Sequence, residues 1–219
     1  DKYDLGFCDL VTHNIQLTDK NPAFRKQFPI PSAHMDLVKE HVHQWLQAGI
    51  IEPSKSPYNS PIFCVKKKGD QGYRLCLDYR ALNSKSLPEN YSIRTVEDCI
   101  AEIGEAGANT FAALDLASGF YHMPLQHQSR PFTAFTVPGL GQFQWRRGAM
   151  GLKGCPASFA RLMDLALTGC KKTITYIDDI LCYGKGFDEL LAALEPVLQR
   201  LRKHNLRLNL KKSLIAADK

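Results

Sequence analysis

Three aspartates stand where apolar runs of the chain end or break. Asp115 closes Phe111-Ala-Ala-Leu114, and the adjacent pair Asp178-Asp179 interrupts the run from Ile174 to Leu181. An aspartate in a turn is ordinarily a solvated bend, and for each of the three alone that is the better reading. Two like charges side by side within an apolar hairpin are different, because they repel and lose solvation unless a cation or hydrogen-bond donors compensate them. The pair therefore points to a bound cation. A carboxylate at one strand end and others on a neighbouring turn supply the hard oxygen ligands that Mg2+ takes, while leaving positions open for phosphate oxygens and water. Two such ions about 4 Å apart clamp the attacking and leaving oxygens of nucleotidyl transfer, a chemistry that gains from positioning and charge neutralisation.

These carboxylates need strands to hold them. Thr110 to Asp115 reads as a strand leading into a Ser-Gly turn, and Ile174 to Tyr183 as a hairpin pivoting on Asp178-Asp179. A second hairpin, Pro61 to Lys67 with Tyr73 to Asp78, is expected to have a basic tip at Lys66-Lys-Lys-Gly-Asp-Gln-Gly72. Apolar spacing predicts three helices. One begins at a Ser32 cap, carries Met35, Val38, Val42 and Trp45 or Leu46, and stops at Gly49. The others run from Pro156 to Leu167 and from Phe187 to Lys203, the last with Leu190, Leu194, Val197 and Leu201 on one stripe. Leu206, Leu208 and Leu210 alternate with Arg207, Asn209 and Lys211, the pattern of a half-buried strand with a basic outer face. Residues 1–31, with Pro22, Pro29 and Pro31, read as an extended arm that packs on the rest. Strands and helices mix without strict βαβ order, so the expected class is α+β, an antiparallel sheet with helices on one face.

The composition is that of a globular protein: 219 residues, 44% apolar, 23% charged. No apolar run is long enough to cross a bilayer and no signal-peptide pattern opens the chain, so no membrane partner and an intracellular location are expected. Seven scattered cysteines, an odd number without close spacing, read as reduced and mostly buried thiols. The net charge of +6 suits a polyanion, although charge alone is a weak signal.

Taken together, the motifs resemble a known family. Tyr176-Ile-Asp-Asp179 is similar to the Tyr-x-Asp-Asp motif of retroviral-type reverse transcriptases. Leu114-Asp-Leu-Ala-Ser-Gly-Phe-Tyr121 resembles their first carboxylate motif, and Gly151-Leu-Lys-Gly-Cys-Pro-Ala-Ser-Phe159 their glycine-led helix. Arg74-Leu-Cys-Leu-Asp-Tyr-Arg-Ala-Leu-Asn83 matches the fingers hairpin. Ser56-Pro-Tyr-Asn-Ser-Pro61 and the run from Gln142 to Leu152 are in the style of gypsy-type LTR retrotransposons. Five ordered motifs make this specific where Asp-Asp alone is not.

The resemblance implies a right-hand polymerase palm (110–124 and 156–219) with a mixed fingers subdomain (32–109 and 125–155). It implies RNA-directed DNA polymerase activity on a primed RNA or DNA template with dNTPs and two Mg2+ ions, Mn2+ being a substitute. Asp115 and Asp178 would be the principal metal ligands, with Asp179 in support and the Leu116 carbonyl a further ligand. Phe120 would exclude a 2′-hydroxyl. Lys67 and Arg74 would reach the triphosphate, and Lys211 or Lys212 the departing pyrophosphate. Gly151 would let backbone approach the nucleic acid closely. Asp78 and Arg80 would position template, and Tyr176 and Ile177 would flank the primer end. Ala149-Met150 departs from the Pro-Gln of exogenous retroviruses, so that glutamine's contacts do not transfer. Thumb, connection and RNase H regions are expected as further segments of a Pol polyprotein, in a cytoplasmic virus-like particle or the nucleus. The competing readings are a silent nucleic-acid-binding remnant and a palm-like nucleotide cyclase, which would lack a use for the fingers hairpin.

Overall fold

The computed structural model describes residues 5–19, 21–67, 72–92 and 94–218, with the side chains of 217 and 218 apart. The expected hairpin tip at 68–71 lies outside them. The order of elements is α1 (Ser32–Gln47), β1 (Ile51–Pro53), β2 (Ile62–Lys66), β3 (Tyr73–Leu77), α2 (Arg80–Lys85), α3 (Val96–Ala106) and β4 (Thr110–Asp115). There follow β5 (Phe135–Val137), β6 (Gly141–Trp145), α4 (Cys155–Ala166), β7 (Thr173–Tyr176), β8 (Asp179–Gly184), α5 (Gly186–Lys203) and β9 (Leu214–Asp218). Short 3-10 turns at Gly119–His122 and Phe132's segment His127–Thr133 link β4 to β5.

The sheet that carries the carboxylates has strand order β7-β8-β4-β9, all antiparallel. Alternation gives it two apolar faces. Ala112, Leu114, Ile180 and Cys182 join the main core, into which α5 inserts Leu190, Leu194, Val197 and Leu201. Gly184 makes this approach possible, since a Cβ there would meet the Leu190 amide nitrogen at 2.6 Å. The ends of α5 suit its dipole, with Asp188 and Glu189 in the first turn and Arg200, Arg202 and Lys203 in the last. On the other face, α3 sets Cys99, Ile103 and Ala106 against Phe111, Ile174, Leu181 and Tyr183. The α4 and α5 layer is therefore as expected, and α3 adds a cover on the second face.

A three-stranded sheet, β1-β6-β5, and the two-stranded β2-β3 hairpin make up the remaining strands. Their junction with α1 is aromatic: Trp45 lies 4.9 Å from Trp145 between ring centroids, and Tyr121 stacks on Trp145 at 5.3 Å. α1 ends as its glycine indicates. Gly49 is left-handed (φ 64°), and the Gly49 and Ile50 amides donate to the Leu46 and Trp45 carbonyls at 3.0 and 2.9 Å.

Three expectations are corrected. Ser32 does not cap α1; it is the first helical residue, and Pro31 occupies the cap position with no side-chain hydrogen bond. The hairpin of Asp178-Asp179 turns on Ile177-Asp178, because Tyr176 and Asp179 are its closing pair and Asp179 opens β8. The strand read over Leu206 to Leu210 is reduced to a bridge between Leu208 and Leu116. The His122 ring takes the Arg207 amide, and the Asn209 carbonyl accepts from the Lys212 and Ser213 amides, closing a turn where the ladder would have continued. Leu210 is accordingly exposed, and the strand comes later as β9.

The arm packs as expected, with Cys8, Ile15 and Ala23 buried and bridges from His13 to Leu125 and from Phe24 to Asn59. All seven cysteines are free, four of them buried. Among the described residues, no helix is long and apolar enough to cross a membrane.

Candidate active site

The site grows from two strand ends. β4 and β8 pair in register from Thr110 with Gly184 to Asp115 with Asp179, so the last pair sets two carboxylates opposite each other on one face of the sheet. Between Tyr176 and Asp179 there are only two residues. Ile177 meets that constraint in a left-handed conformation (φ 58°), which a β-branched side chain rarely adopts and which stores about 1–3 kcal/mol of strain. Asp178 thereby comes against the turn that follows Asp115. A Cβ added to Gly119 would lie 3.3 Å from the Asp178 Cβ and 3.1 Å from the Phe159 ring, so glycine is what lets the two motifs meet on α4.

Asp115 is held from behind. Its amide donates to Ser213 Oγ (3.2 Å), its carbonyl accepts from the Asn209 amide (2.8 Å), and Lys212 Nζ lies 3.4 Å from Oδ2. Its Oδ1 is buried without a hydrogen-bond partner. Burial, and then the charges of Asp178 and Asp115, raise the Asp179 carboxyl above the usual range against the opposing pull of Lys212. An orphaned carboxylate oxygen beside carboxylates that repel fits a cation of the Mg2+ kind. No three acidic, His or Cys side chains are drawn into a ready-made metal cluster among the described residues.

The other sequence candidates fall into three groups. Phe120 follows the same turn and meets Phe159 edge to face at 5.4 Å, half-buried; Tyr176 is 40% exposed; Leu116 is buried on Leu208. Of the two lysines considered, it is Lys212 that approaches Asp115, while Lys211 is exposed in the same turn. Lys67 and Arg74 stand exposed on the β2-β3 hairpin, whose end is closed by the Lys67 amide on the Gly72 carbonyl (2.8 Å). Among the described residues neither touches the carboxylates.

Gly151 (φ 88°) belongs to a loop bolted to α2, and here the structure shows what sequence reasoning missed. The Asn83 carboxamide donates to the Gly151 carbonyl (2.7 Å) and accepts from the Lys153 amide (2.9 Å), and Lys153 Nζ donates to the Ser86 carbonyl (2.8 Å). An Asn at the end of a matched motif was the available signal. Asp78, 5% exposed, accepts from the Arg80 amide and from its guanidinium at two points, and from Arg25 Nη1 at 2.8 Å, and the Arg80 guanidinium is the main reason its carboxyl is held at about 2. Arg25 was not anticipated.

Between α3 and the sheet lies a cavity of about 570 Å³ whose walls include Ile100, Ile103, Ala113, Ile174 and Leu181 along with Asp115, Asp179 and Lys212. Its hydrocarbon walls do not suit a triphosphate.

Comparison with known proteins agrees with this arrangement. The family model described as reverse transcriptase (RNA-dependent DNA polymerase) matches residues 65–219. The chain is 36% identical over 209 residues to the retrovirus-related Pol polyprotein from transposon opus of Drosophila melanogaster, covering 93% of this chain and 20% of that protein. It is 32% identical over 216 residues to the corresponding polyprotein from transposon gypsy of the same organism, covering 95% and 21%. It thus spans about a fifth of these relatives. Among solved structures, the prototype foamy virus protease-reverse transcriptase superposes with TM-score 0.88 at 29% identity, over 97% of this chain and 28% of that one. The foamy viral enzyme in complex with an RNA/DNA hybrid superposes with TM-score 0.84 at 26% identity, over 97% and 28%. An α+β palm with fingers, three carboxylate positions on adjoining strand ends and a match of this extent place the chain in the reverse transcriptase family.

Proposed function

We propose that the chain is the polymerase core of an RNA-directed DNA polymerase, adding dNTPs to a primer 3′-hydroxyl on an RNA or DNA template as part of a Pol polyprotein. The observation that carries this is the opposed pair Asp115 and Asp179 with Asp178 on the intervening turn, one oxygen of Asp115 having no partner. Asp115 and Asp178, with Asp179 and the Leu116 carbonyl in support, would hold two divalent cations, Mg2+ or Mn2+. When bound, these ions supply Lewis-acid activation of the 3′-hydroxyl and neutralisation of the leaving pyrophosphate.

The remaining roles belong to the chain itself. Phe120, fixed by Phe159, sets a wall under the incoming sugar and excludes a 2′-hydroxyl. Arg74 offers the triphosphate a planar fork and Lys67 a mobile charge. Gly151 brings bare backbone to the nascent base pair, and Asn83 keeps it there. Lys212, with Lys211 beside it, faces the pyrophosphate side. Asp78 holds Arg80 for the template, and Tyr176 and Ile177 flank the primer terminus.

The test is primer extension on an RNA template with dNTPs and Mg2+ at low salt. The wild-type chain extends, whereas Asp178→Asn binds the primer-template with unchanged affinity and does not. Extension by the variant sinks the metal assignment, and binding without extension by either protein supports a silent nucleic-acid-binding module.

A further inference from the structure

Asp164 on α4 serves neither the core nor the carboxylate cluster. α4 buries Phe159, Leu162, Met163 and Ala166, whereas Asp164 lies on its exposed side. Both of its oxygens are nevertheless taken by hydroxyl groups from other parts of the chain. Thr175 Oγ1 donates to Oδ1 (3.0 Å), and the Tyr91 hydroxyl donates to Oδ2. Tyr91 is itself held, with the Arg161 guanidinium 5.2 Å from its ring centroid. The nearby Glu89 accepts from Ser158 Oγ and pairs with Arg161 at 3.7 Å. The connection between α2 and α3 is thus tied to α4 by Ser158 and Arg161, and from that joint Asp164 reaches β7.

β7 is the strand that needs such support. It stands at the edge of the sheet, is four residues long, and carries the turn on which Asp178 sits. Ile174 is buried on the α3 side; Thr175 faces the other way by alternation and meets Asp164. Thr175 pairs with Ile180, and the next pair, Tyr176 with Asp179, closes the turn over the left-handed Ile177. A strained residue keeps its conformation only where its surroundings over-determine it. β8 holds the inner edge of β7 and the α3 cluster holds one face. The hydrogen bond to the Asp164 carboxylate, one of the stronger kinds, adds a hold on the other face beside the pair that closes the turn.

We propose that Asp164 is a positioning residue for nucleotidyl transfer: through Thr175 it sets the Ile177-Asp178 turn, and with it the place of Asp178 relative to Asp115. Through Tyr91 it refers that place to the connection between α2 and α3. The inference rests on the polymerase reading and deepens it with a residue that acts only through another. Misplacing a reacting group by about 1 Å costs on the order of 100-fold in rate. A clamp next to the turn therefore acts on the chemical step, not on the binding of substrates.

The experiment is single-turnover extension of a primed RNA template at saturating dNTP, with primer-template and dNTP affinities and the melting temperature measured for each protein. Thr175→Val keeps the shape of the strand residue and removes only the hydroxyl. It is expected to slow the step about tenfold, with both affinities within about twofold of the wild type. Asp164→Ala is expected to do the same, and the double variant to be no slower than the slower single one, because both remove one interaction. Asp164→Asn retains an acceptor for Thr175 and is expected to bring the rate back to within about twofold. A lower melting temperature with an unchanged rate in Thr175→Val and Asp164→Ala makes the clamp merely structural and overturns the proposal, as do losses that multiply in the double variant. Both of those results leave polymerisation standing. A wild-type chain that does not extend removes the polymerase reading and the positioning role together.

Discussion

At the scale of the residue, the site is a set of charges arranged for something not made of protein. Asp179 has its carboxyl raised by burial and by two neighbouring carboxylates. For an acid whose folded-state value lies above the unfolded one, the folded state holds its proton longer, so stability falls as pH rises through the window between the two values and the penalty persists at neutral pH. Asp179→Asn is therefore expected to raise the melting temperature of the metal-free chain at pH 7 while lowering primer extension. Mg2+ is expected to raise the melting temperature of the wild type more than that of the variant, since a ligand stabilises in proportion to its preference for the folded state. A variant that melts lower, or gains as much from Mg2+, contradicts this account. Phe120 gives a prediction of a different kind. Its ring is half-buried, packed on the main core and held edge to face by Phe159, so Phe120→Val is expected to lower stability modestly and to raise ribonucleotide incorporation at least about tenfold. Unchanged discrimination between dNTP and rNTP in single-nucleotide incorporation removes the proposed wall.

At the scale of the element, the Asn83 carboxamide acts as a two-point clamp between α2 and the Gly151 loop. Each such hydrogen bond contributes about 0.5–1.5 kcal/mol, so Asn83→Ala is expected to destabilise by about 1–3 kcal/mol. It should also raise KM for dNTP more than it lowers kcat, which steady-state kinetics on a fixed primer-template would show. Asn83 also marks the limit of what the sequence made legible. The carboxylate strands, α4 and α5 were readable because their apolar spacing is strong and their ends carry glycine, proline or charge. α3 was missed although Thr95 and Asp98 form a reciprocal capping box and Val96, Cys99, Ile100 and Ile103 recur at helical spacing on the side that lines the cavity. β5 is three residues long and is followed at once by Gly139 and Gly141, too short for alternation to speak. The Leu206 to Leu210 alternation was genuine at Leu206 and Leu208, but a side chain 85 positions away took the Arg207 amide. Hydrogen bonds of that reach are invisible to local pattern.

At the scale of the whole molecule, that side chain is a hub. His122 is fully buried, and its backbone carbonyl accepts the Cys8 amide of the arm at 2.9 Å. Its Nδ1–H donates to the Gly119 carbonyl (3.0 Å), and its Nε2 accepts the Arg207 amide (3.0 Å). One residue thus joins the arm through its backbone, and through its ring the turn after Asp115 and the segment that backs β4. Accepting at Nε2 requires the neutral ring, and burial, reinforced by Arg147 and Arg207, lowers its value to about 4 against the hydrogen bond to Gly119. A histidine depressed in the folded state contributes stability that is present above its unfolded value near 6.5 and is lost as pH falls through about 4. The shift corresponds to a contribution on the order of 3 kcal/mol. Buried His13, also lowered by burial, adds in the same direction. Asp78, held at about 2, begins to give up its share only below the ordinary carboxylate value. The melting temperature of the wild type should therefore fall first between pH 6.5 and 4 and again below that range. His122→Gln keeps a donor and an acceptor but has no proton to gain, so it should melt lower at pH 7 yet show a visibly flatter decline between pH 6.5 and 4. Parallel curves for the two proteins would move the acid sensitivity away from His122 and leave the hub a purely geometric joint.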